Sequence, residues 1–473
     1  MLQSKIEQGD LNNMKLKYTL KRMNNEMFLY CIKKELTYKI DEYALRILKL
    51  IKENVANEMT IEELYATFET KGTEEMTRFI NNVAVLIKLG VIEINEEKKV
   101  TEFNIINFNE VNMDESISIE DGYTRPEVVY WIFTNLCNLH CAHCCWENHY
   151  NSNDELEENE VLDIIDQIAN MNVSKISFSG GEPTTKYEKL LKAIKYSKDR
   201  GINSICIATN ALLLNEKKIK ELIDAGLTEI QISIDGYKEE VHDKIRGKGN
   251  FRKTVAIAKY ISKTYGKETL SVGLTVTNNN INDIEKIIDF ANEELHAGQI
   301  KVVRYTPVVE GTKEYDITDN KKRLELCKML VRKRDELMKD ETYLKFNRLM
   351  SFIGGIRNDA SEFCSAGRLR LCILPNGIVC PCPILSSHDV KMGDLRKQTL
   401  DEIWNGQELK DFRKLSKRND SKCKECQYFS SCGGGCKANA LPYGGSFTTR
   451  DTWCYKEIED EIKDDAIICK NVN

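Results

Sequence analysis

From residue 128 onward, short apolar runs alternate with longer amphipathic ones. Val128 to Thr134, Lys175 to Ser179, Ser204 to Ala208, Glu229 to Ile234, Leu270 to Val276 and Ile300 to Tyr305 are β-branched-rich segments of strand length. Between them, Glu158 to Met171, Tyr187 to Asp199, Glu216 to Ala225, Arg252 to Thr264 and Asn282 to Glu293 carry apolar residues at helical spacing. Strands that are apolar throughout are buried on both faces, as in parallel sheets covered by crossover helices. The six repeats predict an α/β fold, a partial (β/α)6 TIM-like barrel over residues 125–310. Its chemistry belongs at the C-terminal ends of the strands.

The pattern ahead of the barrel is different. Lys15 to Met23 and Met27 to Lys39 alternate, with Asn24-Asn25-Glu26 between them. This predicts a hairpin with Phe28, Tyr30 and Ile32 on one face. A helix follows from an Asp41 cap, carrying Leu45, Leu48 and Ile51 at helical spacing, and a second begins at a Thr60/Glu63 capping box. A third runs from Glu74 to Leu89 and stops at Gly90. Residues 1–100 are thus expected to form a winged-helix-like α+β module. From Thr101 to Tyr123 there are six acids, no Lys or Arg and no sustained periodicity, so residues 101–124 read as an acidic linker. Residues 311–363 are charge-rich and read as a helical bridge, clearest from Lys321 to Lys339.

Charge narrows the function. Between Thr60 and Ile94 six acids face three bases, the wrong sign for a phosphate-contacting surface. With a formal charge of −6, the whole chain has no general attraction to nucleic acid or anionic lipid. Met1 to Lys17 lacks an apolar signal core, and no apolar run reaches bilayer length. A cytoplasmic protein is expected. Its seventeen cysteines cannot then be a disulfide framework. Most fall around residues 137 to 145 and between 364 and 454, and clustered thiols in a reducing compartment point to metal.

Cys137, Cys141 and Cys144 form a CxxxCxxC run directly after the first predicted strand. Three thiolates on one loop can hold three corners of a 4Fe-4S cluster and leave the fourth iron open. Structural zinc is the alternative, with His140, His143, His149 or Cys145 as a fourth ligand. The run resembles the motif of radical S-adenosylmethionine (SAM) enzymes. In that family SAM chelates the open iron, and its reductive cleavage yields a deoxyadenosyl radical that abstracts hydrogen. The resemblance extends to Gly180-Gly181-Glu182-Pro183 after the second strand, which is similar to the GGEP segment that meets the SAM amino group. It implies that Asn210, Ser233 and Asp235 serve the SAM ribose and carboxylate region. Arg246 would salt-bridge the SAM carboxylate, an ordinary surface Arg being the alternative. Leu274 and Val276 would pack on adenine, although core packing explains them equally well.

Residues 364–473 hold Cys364-x12-Gly377-x4-Cys382, then Cys423-x2-Cys426-x5-Cys432-x3-Cys436, and Cys454. This resembles the SPASM extension of radical SAM enzymes. A zinc ribbon needs four ligands, fewer than are present here. The resemblance implies two auxiliary iron-sulfur clusters, a distal one on Cys423, Cys426, Cys432 and Cys454 and a proximal one on Cys364, Cys382 and Cys436. Cys372 is the first choice for the proximal cluster's fourth ligand and Cys380 the second; with neither, an open iron could take a substrate thiolate.

Taken together, the chain is identified as similar to radical SAM/SPASM peptide maturases with a fused PqqD-like leader-recognition domain. That implies a ribosomal precursor peptide as partner, its leader gripped by the N-terminal module, and a flavodoxin or ferredoxin as reductant. Thioether crosslinking, as in sactipeptide and ranthipeptide maturases, is the narrower expectation; carbon-carbon or carbon-oxygen crosslinks stay open. The rivals are a sulfatase-maturase-like or small-metabolite enzyme, and an iron-sulfur DNA-binding regulator. No acid or base for proton removal stands out.

Overall fold

In the computed structural model the chain forms two compact units, Met1–Thr124 and Arg125–Asn473. The first is described at residues 18–23, 26–31, 36–40, 42–53, 59–60, 92–95, 104–108 and 111–113, and at Phe79, Val83 and Leu86. The second is described at residues 125–144, 154–307, 312–337, 342–347, 364–388, 390–415 and 420–458.

In the first unit, β1 (Tyr18–Met23) and β2 (Glu26–Cys31) pair antiparallel with Met23 opposite Glu26. The second predicted strand is two strands, because β3 (Leu36–Ile40) turns back to pair with β2. Helix α1 (Glu42–Glu53) follows, as expected. It buries Ala44, Ile47 and Leu48, and Leu45 is partly covered. The helix expected from Thr60 lies outside the described residues, and Thr60 itself ends the short strand β4 (Met59–Thr60). Phe79, Val83 and Leu86 of the third expected helix are helical and buried.

The expected acidic linker is corrected. After β5 (Ile92–Asn95), the linker holds β6 (Asn104–Phe108), antiparallel to β4 and β5, and β7 (Val111–Met113), parallel to β1. Strands this short show no sustained period, and their partners are distant in sequence. The larger sheet runs β3-β2-β1-β7.

The second unit opens with β8 (Val128–Thr134). Then α2 (Glu158–Asn170), β9 (Lys175–Gly180), α3 (Tyr187–Asp199), β10 (Ser204–Thr209), α4 (Glu216–Asp224) and β11 (Glu229–Ser233) follow within a residue or two of expectation. A helix missed in the sequence, α5 (Glu239–Arg246), precedes α6 (Phe251–Tyr265). Next come β12 (Leu270–Val276), α7 (Ile284–Asp289) with a π-helical turn at Phe290–Glu294, and β13 (Gln299–Arg304). These six strands stand side by side in chain order and pair in parallel. Their C-terminal ends therefore share one rim. Trp131, Phe133 and Phe178 pack beneath it, with ring centroids 5.3 to 6.2 Å apart.

The sheet outgrows the predicted barrel at both edges. Within the segment expected to be a helical bridge, α8 (Asn320–Leu337) is followed by β14 (Tyr343–Asn347), parallel to β13. On the other side β15 (Arg370–Ile373) pairs in parallel with β8, and β16 (Ile378–Cys380) and β17 (Gly393–Asp394) add antiparallel. The cysteine-rich region is thus built on the barrel sheet. Its short helices α9 (Pro383–Ser386), α10 (Leu400–Trp404), α11 (Gln407–Lys414) and α12 (Phe429–Cys432) complete the unit.

Lys175 and Glu229 interrupt otherwise apolar strands because they meet each other. Glu229 accepts Lys175 Nζ at 2.9 Å, Lys301 Nζ at 2.6 Å and Ser271 Oγ at 2.7 Å. Burial opposes the Glu229 charge, but the two ammonium groups hold its carboxyl well below the usual range. Among the described residues no helix is long and apolar enough to cross a membrane.

Candidate functional site at the strand ends

The Cys loop leaves β8 at Thr134 and is strapped to the ends of its neighbours. The first strap is the Gly180-Gly181 pair. Gly180 has φ +134°, and a Cβ there would lie 2.4 Å from Thr134 O; a Cβ on Gly181 would lie 2.3 Å from Leu136 O. Only glycine allows this approach. Gly181 N donates to Thr134 O at 2.9 Å and Glu182 N to Leu136 O at 2.7 Å, so these peptides seat the loop just ahead of Cys137.

Glu182 itself turns inward. Its Oε1 accepts Thr184 N, Thr184 Oγ1 and Thr209 Oγ1, and its Oε2 accepts Asn210 N at 2.7 Å. Burial pushes its carboxyl up against the pull of these donors. Its side chain joins the ends of β9 and β10. Pro183 is buried and starts a 3-10 turn, Pro183–Lys186.

Asn210 provides the second strap. Its Nδ2 donates to Asn138 Oδ1, within the Cys loop, at 2.8 Å, and its Oδ1 accepts Leu212 N at 3.0 Å. Ala211 beside it holds φ +68°, a strained value for a residue with a Cβ. Ser233 stands half-buried at the end of β11. Leu274 and Val276 are buried in the core, so packing accounts for both.

The third strap centres on Asp235, which is fully buried. Its Oδ2 lies 2.8 Å from His143 Nε2 and accepts Arg246 Nε at 2.5 Å, while its Oδ1 accepts Thr275 N at 2.7 Å. Burial would raise this carboxyl, but Arg246 and His143 hold it well below the usual range. An ionised carboxylate only accepts, so His143 Nε2 carries the hydrogen. Ala142 N donates to Ile245 O at 2.9 Å, reinforcing the link to α5. Arg246 is mostly buried, which removes the surface-Arg alternative. Burial works against its charge; Asp235, Cys141 and Cys144 together outweigh it. Asp235 and Arg246 are thus bound to each other, and Asp235 to His143 of the Cys loop. His242, also on α5, is buried and accepts Asp235 N at 3.4 Å; burial, then Arg246, lowers its imidazole to about 4.

The second group of thiols lies along β15, β16 and the turns beyond. Cys364, Cys382 and Cys436 pack in one cluster with Ala366, Ile384, Leu385 and Phe412. Burial, with Cys364 and Cys436 beside it, pushes the Cys382 thiol up to about 12. Cys432 is pushed up to about 11 by burial, with Cys454 and Cys426 adding to it. Cys423 is buried nearby in sequence, on the segment before Cys426. Cys372 and Cys380 face each other across the β15/β16 pair and pack on Ile132 of β8. Cys372 feels both Cys380 and Cys382, and burial raises it well above an ordinary thiol. Among the described residues none of Cys137, Cys141, Cys144 and the cysteines from Cys364 to Cys454 is in a disulfide. As the chain stands, no three His, Cys, Asp or Glu among the described residues are set to hold a single metal ion. The donor sets are all-thiol and grouped, which suits iron-sulfur clusters. Cys145 and Cys469 lie outside the described residues.

Sequence reasoning missed the hydrogen bonds that make the site one body, above all Asn138 to Asn210 and His143 to Asp235. Their partners lie 72 and 92 residues apart, and no spacing rule reaches that far.

A parallel barrel whose strand-end motifs all converge on a three-thiol loop defines an enzyme that opens SAM on an iron-sulfur cluster. The comparisons agree: residues 131–291 match the radical SAM superfamily and residues 364–427 the SPASM iron-sulfur cluster-binding domain. The chain is 30% identical over 264 residues to the probable GTP 3',8-cyclase of Methanococcus aeolicus, covering 53% of this chain and 82% of that protein. It is 26% identical over 337 residues to mycofactocin maturase MftC of Mycolicibacterium smegmatis, covering 69% and 83%. Its fold is similar to Streptococcus suis SuiB bound to precursor peptide SuiA, with TM-score 0.60 and 17% identity over 90% of this chain and 96% of that one. The chain belongs to the radical SAM superfamily. It is an enzyme of SAM and 4Fe-4S chemistry with a SPASM iron-sulfur domain.

Proposed function

We propose that this enzyme modifies a ribosomally made precursor peptide, forming a thioether between a Cys sulfur and a carbon. The observation that carries the reading is the pairing, in one compact unit, of the strapped Cys loop with a second, larger set of buried and half-buried thiols, of which Cys372 and Cys380 stand on strands of the same sheet. MftC is a maturase by name, and SuiB is titled as bound to its precursor peptide, which supports a peptide substrate.

Cys137, Cys141 and Cys144 would hold the SAM-binding 4Fe-4S cluster, which, with SAM bound, supplies a primary carbon radical. Gly180 and Gly181 would orient the loop and offer peptide groups to SAM, and Ser233, at the end of β11 two strands away, would serve the same ligand. Asn210, Asp235 and Arg246 act on the loop. Cys423, Cys426, Cys432 and Cys454 would hold one auxiliary cluster and Cys364, Cys382 and Cys436 the other. Cys372, at the side of Cys382, remains the preferred fourth ligand over its cross-strand partner Cys380. Thioether formation removes two hydrogens from the peptide. One would leave with the deoxyadenosyl group and the other as a proton from the thiol, and an auxiliary cluster held by the thiol-rich domain would accept the remaining electron. A flavodoxin or ferredoxin in the cytoplasm would supply the initiating electron.

The first unit would serve as a PqqD-like grip on the leader. Among the described residues β3 ends its sheet, whereas β1 is covered by β7, so the leader strand would add at Leu36–Ile40. Anaerobic incubation of iron-loaded enzyme with SAM, reductant and a Cys-containing precursor peptide tests the reading. A product lighter by two hydrogens, absent with Cys141→Ala, supports it; deoxyadenosine with unchanged peptide refutes it for that peptide. Deleting residues 1–124 should abolish peptide modification while SAM cleavage persists. Undiminished modification would refute leader recognition. The similarity to a probable GTP 3',8-cyclase favours, as the second reading, the same machinery acting on a small metabolite.

A further inference from the structure

A fourth link joins the barrel rim to the cysteine-rich region, and it uses none of the motifs above. Arg304, the last residue of β13, is 1% exposed. Its Nη1 donates to Asp451 Oδ1 at 2.7 Å and its Nη2 to Thr452 Oγ1 at 2.7 Å. The guanidinium lies 4.2 Å from the centre of the Trp453 ring, and Arg323 lies 5.0 Å from the same ring. Two residues on from Arg304, Thr306 Oγ1 donates to Asn439 Oδ1 at 2.9 Å.

Asp451 passes this anchorage to the loop that carries Cys432 and Cys436. Its Oδ2 accepts Cys436 N at 2.9 Å and Asn439 Nδ2 at 2.9 Å; its Oδ1 also accepts Trp453 N at 3.0 Å. Its own N donates to Gly434 O at 3.0 Å. Gly435, at φ +79°, lies so close that a Cβ there would be 2.5 Å from Asp451 Cβ. Asp451 is three residues before Cys454. One carboxylate therefore touches the backbone at Cys436 and sits between Cys436 and Cys454, which are assigned above to different auxiliary clusters.

A buried ion pair is a poor source of stability compared with apolar packing of the same volume. Its directional bonds make it a good device for fixing register. We propose that Asp451, anchored by Arg304, is a positioning residue that sets the Cys432–Cys436 loop against the barrel rim and tunes the two auxiliary iron-sulfur groups that Cys432 and Cys436 would separately help to hold. The inference rests on the auxiliary-cluster reading above. The Cys436 N–H, pointed at a carboxylate, is kept from turning toward a cluster sulfur, and the Arg304 charge offsets the carboxylate's.

The test is a double variant, Arg304→Met with Asp451→Asn, which removes both charges of the pair; Asp316, buried 3.9 Å from Arg304, keeps the Tyr443 hydroxyl as a donor. Iron and sulfide content, the EPR spectrum and midpoint potential of the auxiliary clusters, and deoxyadenosine released per modified peptide are measured in the full chain. Deoxyadenosine formation should persist, while modified peptide per deoxyadenosine falls roughly 10- to 100-fold and the auxiliary potential or EPR signal shifts. Selective loss of auxiliary iron would support the proposal equally. Unchanged potential, spectrum and product ratio in a folded, fully loaded variant would overturn it. Arg304→Lys, which keeps charge and loses the planar fork, gives the same readouts with a milder perturbation if the double variant does not fold. If wild type modifies no peptide, the functional reading fails, while the potential and spectrum still decide this proposal.

Discussion

Asp235 shows how a single buried side chain can organise a reactive loop. Its carboxylate meets His143, Arg246 and Thr275, on three different segments, and it is ionised at neutral pH because two of them bring positive or proton-donating groups to it. Asp235→Asn keeps the volume and removes the charge, leaving Arg246 uncompensated in a buried place. Affinity of the Cys loop for iron should fall roughly 10- to 100-fold, read as iron retained after chelator challenge. His242 yields a pH prediction. Its folded value of about 4 lies below the ordinary 6.5, so its contribution to stability is complete above pH 6.5 and is lost as pH falls toward 4. The gap is worth roughly 3 kcal/mol. His242→Gln should therefore show a smaller drop in Tm between pH 7 and 4.5 than the wild type; equal drops would contradict the assignment.

At the scale of elements, the close approach of the β9 end to the Cys loop is the most sensitive contact. Gly181→Ala would drive a Cβ into Leu136 O and Asn135 O, both backbone atoms that a rotamer change cannot move. The loop must shift, and SAM-cluster loading should fail while auxiliary iron is retained, measured as iron per chain and by EPR. Ala211 makes the opposite case: at φ +68° a glycine relieves strain. Ala211→Gly should be neutral or stabilising by up to about 1 kcal/mol in chemical denaturation, whereas Ala211→Val should destabilise. At the strand starts, Glu229→Leu would strand Lys175 and Lys301 and should cost about 3 to 5 kcal/mol.

For the molecule as a whole, ten strands in one sheet carry both thiol groups. Burial that raises Cys382 to about 12 and Cys432 to about 11 keeps these thiols protonated in the metal-free chain at neutral pH. Iron uptake must release those protons, so reconstitution should be weaker at pH 6.5 than at pH 8.5, read as iron bound per chain at equilibrium.

Much of this was legible in the chain itself. Six βα repeats, the Cys loop and the spaced cysteines after residue 364 are local patterns, set by strand and helix periodicity and by the short reach of thiols on one loop. Strands β8 and β12 and helix α3 fall where periodicity alone places them. The tertiary structure decided what depends on distant partners. Edge pairing drew β6 and β7 out of an apparent linker and β14 out of an apparent helical bridge. Packing also made Glu182, Asp235 and Arg246 straps of the loop that would hold the cluster, because a buried charge must find a counter-charge or donors within hydrogen-bond reach. Composition names which charges a chain carries; only folding determines which of them meet.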